Sequence, residues 1–168
     1  MSDPQNLNEL YIHELQDLWS ANDQMSQVVK DVAASLSDGK LSEKMTSSVA
    51  GIRAHTEVLK RLIEEAGGNT KPEHCKGMEG LAKEARKHVI DADAPGEVKD
   101  IAAIAQFQRM SHYGIAGFGT AKAYAMALGM TEAADKLDKA TAEIYGCDDY
   151  MSELAQRSED LKAARQEG

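Results

Sequence analysis

The residues of this sequence best suited to chemistry are His55, His112, Glu143 and Asp148, two imidazoles and two carboxylates spread over three apolar-periodic segments. An imidazole–carboxylate set on facing helices can bind a divalent metal, zinc or iron for example. Bridging two iron ions asks for more. A di-iron centre inside a helical bundle uses a Glu from each of two helices and a Glu-x-x-His pair from each of the other two. Here Ile52 stands three residues before His55, and Ile144 lies on the seam beside Glu143. Where other carboxylates would be needed, the seam offers Asn22, Ser48 and Ser111. Glu14 and Asp17 stand about two turns and one and a half turns before Asn22 on that segment. The bland alternatives are a seam Asn that fixes register and histidines hydrogen-bonded in a core.

Four long segments must position these groups. The first, 6–36, carries the seam Leu15, Leu18, Asn22, Met25, Val29, Val32 and Leu36, with Gly39 as its stop signal. The second, 41–66, carries Met45, Ser48, Ile52, His55, Leu59, Leu62 and Ala66. The third spans 97–128 and stops at Gly129; the fourth spans 131–165 and could be capped by Thr131. A shorter helix over 76–91 sits on the long connection 67–96, which Pro72, Pro95 and Gly96 punctuate. Helices with one apolar stripe each can bury those stripes only against one another. The expectation is a single all-α domain over 1–168: two antiparallel hairpins joined by a crossover, the ferritin-like four-helix bundle. A plain up-down bundle is the alternative.

The stretch "QRMSHYGIAGFGTAKAY", 108–124, carries Gly114, Gly117 and Gly119 inside a segment that otherwise reads as helix. Each mid-helix Gly costs about 1 kcal/mol relative to Ala. Close helix packing accounts for Gly117 and Gly119, since small side chains let backbones approach.

Composition narrows the function classes. With 28 acidic against 19 basic residues, net charge −9, nucleic acid and anionic membrane are poor partners. No apolar run reaches membrane-spanning length. The start, "MSDPQNLNEL", lacks the basic-then-apolar pattern of a secretory leader, so a cytoplasmic location is expected. Cys75 and Cys147 lack CxxC spacing and read as reduced thiols.

Four stretches together carry a family resemblance: "LYIHELQDLWSA" (10–21), "CKGMEGLAKEA" (75–85), "HYGIAGFGTAKA" (112–123), and "LDKATAE" with "DDYMSELA" (137–155). Over 6–160 the chain resembles the YciE/YciF stress-protein group of the ferritin-like superfamily, and looks closest to its YciE branch. The resemblance implies a ferritin-like fold, a homodimer and a role in general stress response. Members with an intact centre resemble di-iron carboxylate proteins. Their first helix reads Ser/Asp-Ala-Glu, where this chain has Ser20-Ala21-Asn22; their second carries Leu-Glu-Glu-Thr, here Val49 to Ile52. Their third reads Glu-His-Tyr-Glu-Ile-Ala, here Ser111-His112-Tyr113-Gly114-Ile115-Ala116, and their fourth Glu-Glu-Lys-Ala-Thr-Asp, here Glu143 to Asp148. Ser111 and Gly114 thus stand where the resemblance places carboxylate donors.

Three functions follow as expectations. The first is a stress protein with a degenerate di-iron centre, no required cofactor, and a structural or partner-binding role, with a paralogous ferritin-like protein as a further partner. The second is a metal-binding oxidoreductase using His55, His112, Glu143, Asp148 and Glu14 in a rearranged site, with iron or another divalent metal as cofactor. The third is a small-molecule site in the vacated layer, wet because its lining is polar. Tyr11 and Trp19 are candidate exposed apolar residues for the dimer interface.

Overall fold

The computed structural model describes residues 3–157, and among these there are helices and no strand. Helix α1 spans Leu7–Ala33, α2 Gly39–Glu65, α3 Lys76–Ala85, α4 Gly96–Ala127 and α5 Thr131–Arg157. A π-helical turn, Arg86–Ile90, extends α3. The part of the fourth expected helix beyond residue 157 lies outside the described residues.

Local chemistry sets the ends. Asn6 accepts from the Glu9 N–H at 2.9 Å and donates its amide to the Glu9 carboxylate at 2.8 Å, a reciprocal cap that starts α1. Helices α2 and α4 both end in the same way. Gly67 (φ 77°) and Gly129 (φ 74°) take the left-handed conformation that glycine adopts without strain. The next N–H then reaches back, Gly68 to the Ile63 carbonyl at 2.8 Å and Met130 to Ala125 at 2.9 Å.

Two expected signals act differently. Gly39 starts α2 rather than stopping α1, because the Asp38 carboxylate accepts from the N–H groups of Lys40 (2.7 Å) and Leu41 (3.1 Å). Helix α1 already ends at Ala33, where Ser35 and Leu36 turn back onto the Val32 and Ala33 carbonyls. Thr131 is the first helical residue of α5 rather than its cap, and the Met130 carbonyl accepts the first helical bond, from Ala134.

Cross-helix pairs fix the topology. Asn22 reaches Ile52 and Asn8 reaches Ala66, so α1 and α2 are antiparallel. His112 meets Asp148 and Lys122 meets Asp138, so α4 and α5 are antiparallel. Ser37 meets Asp100 and Tyr113 meets Asp17, which makes α1 antiparallel to α4 as well. Helices α2 and α4 therefore run parallel, and the chain between them must travel the length of the bundle. That is the ferritin-like crossover rather than an up-down bundle. It runs along α1, where Gln16 donates to the Asn69 carbonyl at 2.7 Å and the Glu73 N–H donates to the Gln16 carbonyl at 3.2 Å. Helix α3 then covers the α1–α4 groove.

The apolar core has two halves. One is built around Met25, Val29, Phe107 and Met110 under α3, the other around Leu15, Leu18, Leu59 and Phe118 at the far end. The buried Asp100 carboxylate anchors the α1–α2 turn by accepting from the Ser37 and Asp38 N–H groups at 2.9 and 2.8 Å. No helix among the described residues is long and apolar enough to cross a membrane.

Tyr11 is not an exposed interface residue. It is completely buried, because its face of α1 packs into the second half-core. Trp19 is half-buried, with the Lys60 ammonium 4.9 Å above its ring. The Tyr11 hydroxyl has no hydrogen-bond partner among the described residues. Burial, with Glu65 nearby, pushes its pKa up to about 12. The folded-state pKa exceeds the unfolded value of 10, so this contribution is complete below pH 10 and is lost as pH rises through about 12. Tyr11→Phe is expected to leave neutral-pH stability unchanged or raise it by up to about 1 kcal/mol. It should also remove about 1 kcal/mol of the destabilisation seen at pH 11. Urea denaturation of both proteins at pH 7 and pH 11 checks both effects.

Candidate functional site

The polar interruptions of the four seams meet in one layer. Asn22 of α1, Ser48 and His55 of α2, Ser111 of α4 and Glu143 of α5 all line a single cavity of about 130 Å³ at mid-bundle. Antiparallel packing of helices interrupted near mid-length puts them there. The cavity wall is otherwise apolar, with Met25, Met78, Phe107, Met110, Ile52 and Ile144 dominating. The expected wet, polar lining is therefore confined to a few groups. The sequence reading did not anticipate the methionines that converge here from α1, α3 and α4.

The four ligand candidates separate into two pairs. His55 Nε2 and Glu143 Oε2 lie 2.8 Å apart, joining α2 to α5 across the cavity edge. The His55 ring also meets Phe118 edge-on, with centroids 5.7 Å apart. His112 Nε2 and Asp148 Oδ2 lie 2.9 Å apart, joining α4 to α5. The His112 side chain is largely exposed, and this second pair is not part of the cavity lining. No three His, Cys, Asp or Glu side chains among the described residues are grouped so as to hold a metal ion. Glu14 lies instead at the α1–α4 contact, its carboxylate near Gly117. Burial and the neighbouring Asp17 raise its pKa.

A second polar group of residues was not legible in the sequence. Tyr113 donates to the Asp17 carboxylate at 2.9 Å and lies 2.9 Å from the Cys75 sulfur. Cys75 is the cap of α3: its sulfur accepts from the Met78 N–H at 3.3 Å, and its own N–H donates to Ser20 Oγ at 3.0 Å. The Tyr113 ring lies flat enough on α3 that a Cβ at Gly77 would come within 2.7 Å of it. These contacts tie α3 to α1 and α4. Burial raises the pKa of both Tyr113 and Cys75, so both stay protonated at neutral pH. The partners lie 38 and 96 positions from Tyr113, a separation that leaves no local pattern.

The glycines of α4 do not share one cause. A Cβ at Gly117 would collide with the Leu18 side chain, so a larger residue there would force the buried Leu18 to shift. At Gly119 a Cβ would meet nothing within 4 Å, so close packing does not account for it. At Gly114 it would meet only Ile144 Cδ1, at an ordinary 3.5 Å. Gly114 leaves room in the cavity rather than making room for a neighbour.

Comparison with known proteins matches this geometry. The family model described as Domain of unknown function (DUF892) matches residues 6–164. Protein YciF of Escherichia coli K12 is 32% identical over 158 residues, covering 94% of this chain and 95% of that protein. The match is thus to the YciF member, where the sequence reading favoured the YciE branch. The crystal structure of the E. coli stress protein YciF superposes with a TM-score of 0.88 at 30% identity, covering 95% of this chain and 99% of that one. YcfI, a putative structural protein from Rhodopseudomonas palustris, gives 0.84 at 26% identity, covering 89% and 95%. A ferritin-like, diiron-carboxylate protein from Bacillus anthracis gives 0.69 at 18% identity, covering 92% and 99%, and shows the shared fold alone.

The three glycines should respond differently to a single methyl group. Gly114→Ala and Gly119→Ala are each expected to stabilise the protein by about 0.5–1 kcal/mol, the helix-propensity gain. Gly117→Ala should destabilise it by about 1–2 kcal/mol, because overpacking against Leu18 exceeds that gain. Equilibrium urea unfolding gives the sign in each case.

Proposed function

The chain belongs to the DUF892 family, and from that premise we propose that it is a ferritin-like stress-response protein whose di-iron layer is degenerate. Its role is structural or partner-binding rather than catalytic. The observation that carries this reading is the composition of the mid-bundle layer. Asn22, Ser111, Gly114 and Ile144 stand where the family resemblance calls for carboxylate donors, and they face a mainly apolar cavity. The donors that remain in the lining are His55 and Glu143, already joined to each other, and the Cys147 thiol, whose pKa burial raises. Two divalent ions held together need bridging carboxylates to offset their charge. One half-exposed carboxylate and neutral amide and hydroxyl groups do not fit that need.

The protein acts in the cytoplasm as a homodimer, with a paralogous ferritin-like protein as a further partner. Two free cysteines support a reducing compartment. The family resemblance supports the dimer, and Met126, Tyr145 and Tyr150, at the end of α4 and along α5, are among the exposed large apolar side chains available to it, with Leu10 and Val98 elsewhere. Light scattering at tens of micromolar should show twice the 18.2 kDa chain mass.

Protein purified without chelator, then exposed to ferrous iron anaerobically and to air, tests the metal reading. Wild type should take up no di-iron complement and develop no oxo-bridge absorption. A variant with Asn22→Glu, Ile52→Glu, Ser111→Glu and Ile144→Glu should take up more iron, and its apo form should be less stable because buried unpaired carboxylates are costly. Stoichiometric di-iron binding by the wild-type chain would overturn the reading.

A further inference from the structure

The mid-bundle cavity has the size and surface of a ligand site. Its volume of about 130 Å³ is close to that of an engineered apolar cavity, about 150 Å³, that binds benzene. Met25, Met78, Met110 and Phe107 provide much of its wall. Methionine sulfur makes favourable contacts with aromatic rings, and its unbranched chain adapts to their outline.

Two buried polar groups in the wall are left without full partners. Ser111 is 3% exposed, and its hydroxyl has no hydrogen-bond partner among the described residues. Asn22 is 7% exposed; its amide N–H donates to the Ile52 carbonyl at 3.4 Å, while its Oδ1 has no partner there either. Ser48 differs, since its hydroxyl donates to the Met45 carbonyl at 2.7 Å. Both residues line the cavity, so the polar group of a bound molecule can pair with this spare hydrogen-bonding capacity.

We propose that this cavity binds a small uncharged molecule consisting of one aromatic ring with one hydroxyl, a phenol-like ligand. The ring lies among the methionines and Phe107. The ligand hydroxyl donates to Asn22 Oδ1 and accepts from Ser111. A charged ligand does not suit the site: Glu143 is the acidic residue in the lining, and it is half-exposed and engaged by His55. Access lies between α2 and α5, the neighbouring pair of the bundle that packs least closely, past the His55–Glu143 bridge. This inference rests on the reading that no di-iron centre fills the layer.

The test titrates phenol and benzene into the full chain, with calorimetry and thermal unfolding as readouts. Phenol should bind and raise Tm. Ser111→Ala should weaken phenol about three- to tenfold, the loss of one hydrogen bond, and leave benzene unchanged. Gly114→Leu should abolish both, because its first carbon fits 3.5 Å from Ile144 Cδ1 and the rest of the side chain enters the cavity. Should that variant fail to fold, Ile144→Phe fills the same space. Absence of phenol binding, binding that survives the filled cavity, or a Ser111→Ala effect equal for both probes would overturn the proposal. A parallel anaerobic titration with ferrous iron separates the two readings. Stoichiometric iron uptake that blocks phenol refutes the degenerate-centre reading, whereas failure to bind either probe refutes the phenol site alone.

Discussion

The Leu18 side chain sits over Gly117 where α1 packs on α4, in the space that a Cβ at position 117 would take. Because α1 and α4 are antiparallel and each is hairpinned to its own partner, α2 and α4 run parallel and the crossover must span the bundle. Helix α3 lies over the α1–α4 groove, and α2 and α5 on the opposite side meet only sparsely. His55 meets Glu143 at 2.8 Å and Lys136 meets Glu65 at 3.3 Å across that side. The Lys136–Glu65 pair is exposed, and such pairs contribute little, so the α2–α5 seam gains little from it. The cavity lies just beneath it.

A long helix that places Ser111 and Gly114 at mid-core gives up both propensity and packing. Gly117 recovers that loss by admitting Leu18; Gly114 does not, since the space beside it stays open. The fold is secured by other contacts instead. Asp100, 1% exposed, accepts three hydrogen bonds from Ser37 and Asp38, and hydrogen bonds to a charged group are the stronger kind. Tyr113 holds Asp17 and Cys75 from one hydroxyl. Both anchors use α4, the helix that also carries the weakened layer. The layer thus lies on a helix that other side chains tie to the α1–α2 turn, to α1 and to α3.

Much of the fold was legible because it rests on period and punctuation. The seam residues Leu15, Leu18, Met25, Val29, Leu59 and Leu62 are all buried, and Gly129 ends α4 as its position suggests. Signals that depend on a few atoms were misread. Gly39 looks like a stop until the Asp38 carboxylate is seen capping the next helix, and Tyr11 looks like surface until its face of α1 is seen against the second half-core. The common layer of Asn22, Ser48, His55 and Ser111 followed from equal depth along antiparallel helices. Its apolar character did not, because Met78 arrives from α3, a helix on the crossover whose place in the α1–α4 groove is held by contacts distant in sequence, Tyr113 to Cys75 and to Asp17 among them.

The two carboxylates of α5 that match the family pattern are each set against an imidazole. A carboxylate near mid-bundle needs either a positive charge or hydrogen-bond donors. Glu143 and Asp148 lie five residues apart, which turns them toward different neighbours, and each meets an imidazole from another helix: His55 of α2 and His112 of α4. With hydrogen on Nε2, each histidine donates to its carboxylate whether or not the ring is charged. One pair closes the cavity edge; the other pins α5 to α4 outside it. Restoring acidic residues at Ser111 or Asn22 would add charge to a space where no further histidine or lysine stands ready. Each of these α5 carboxylates thus has an imidazole of a neighbouring helix within hydrogen-bond distance.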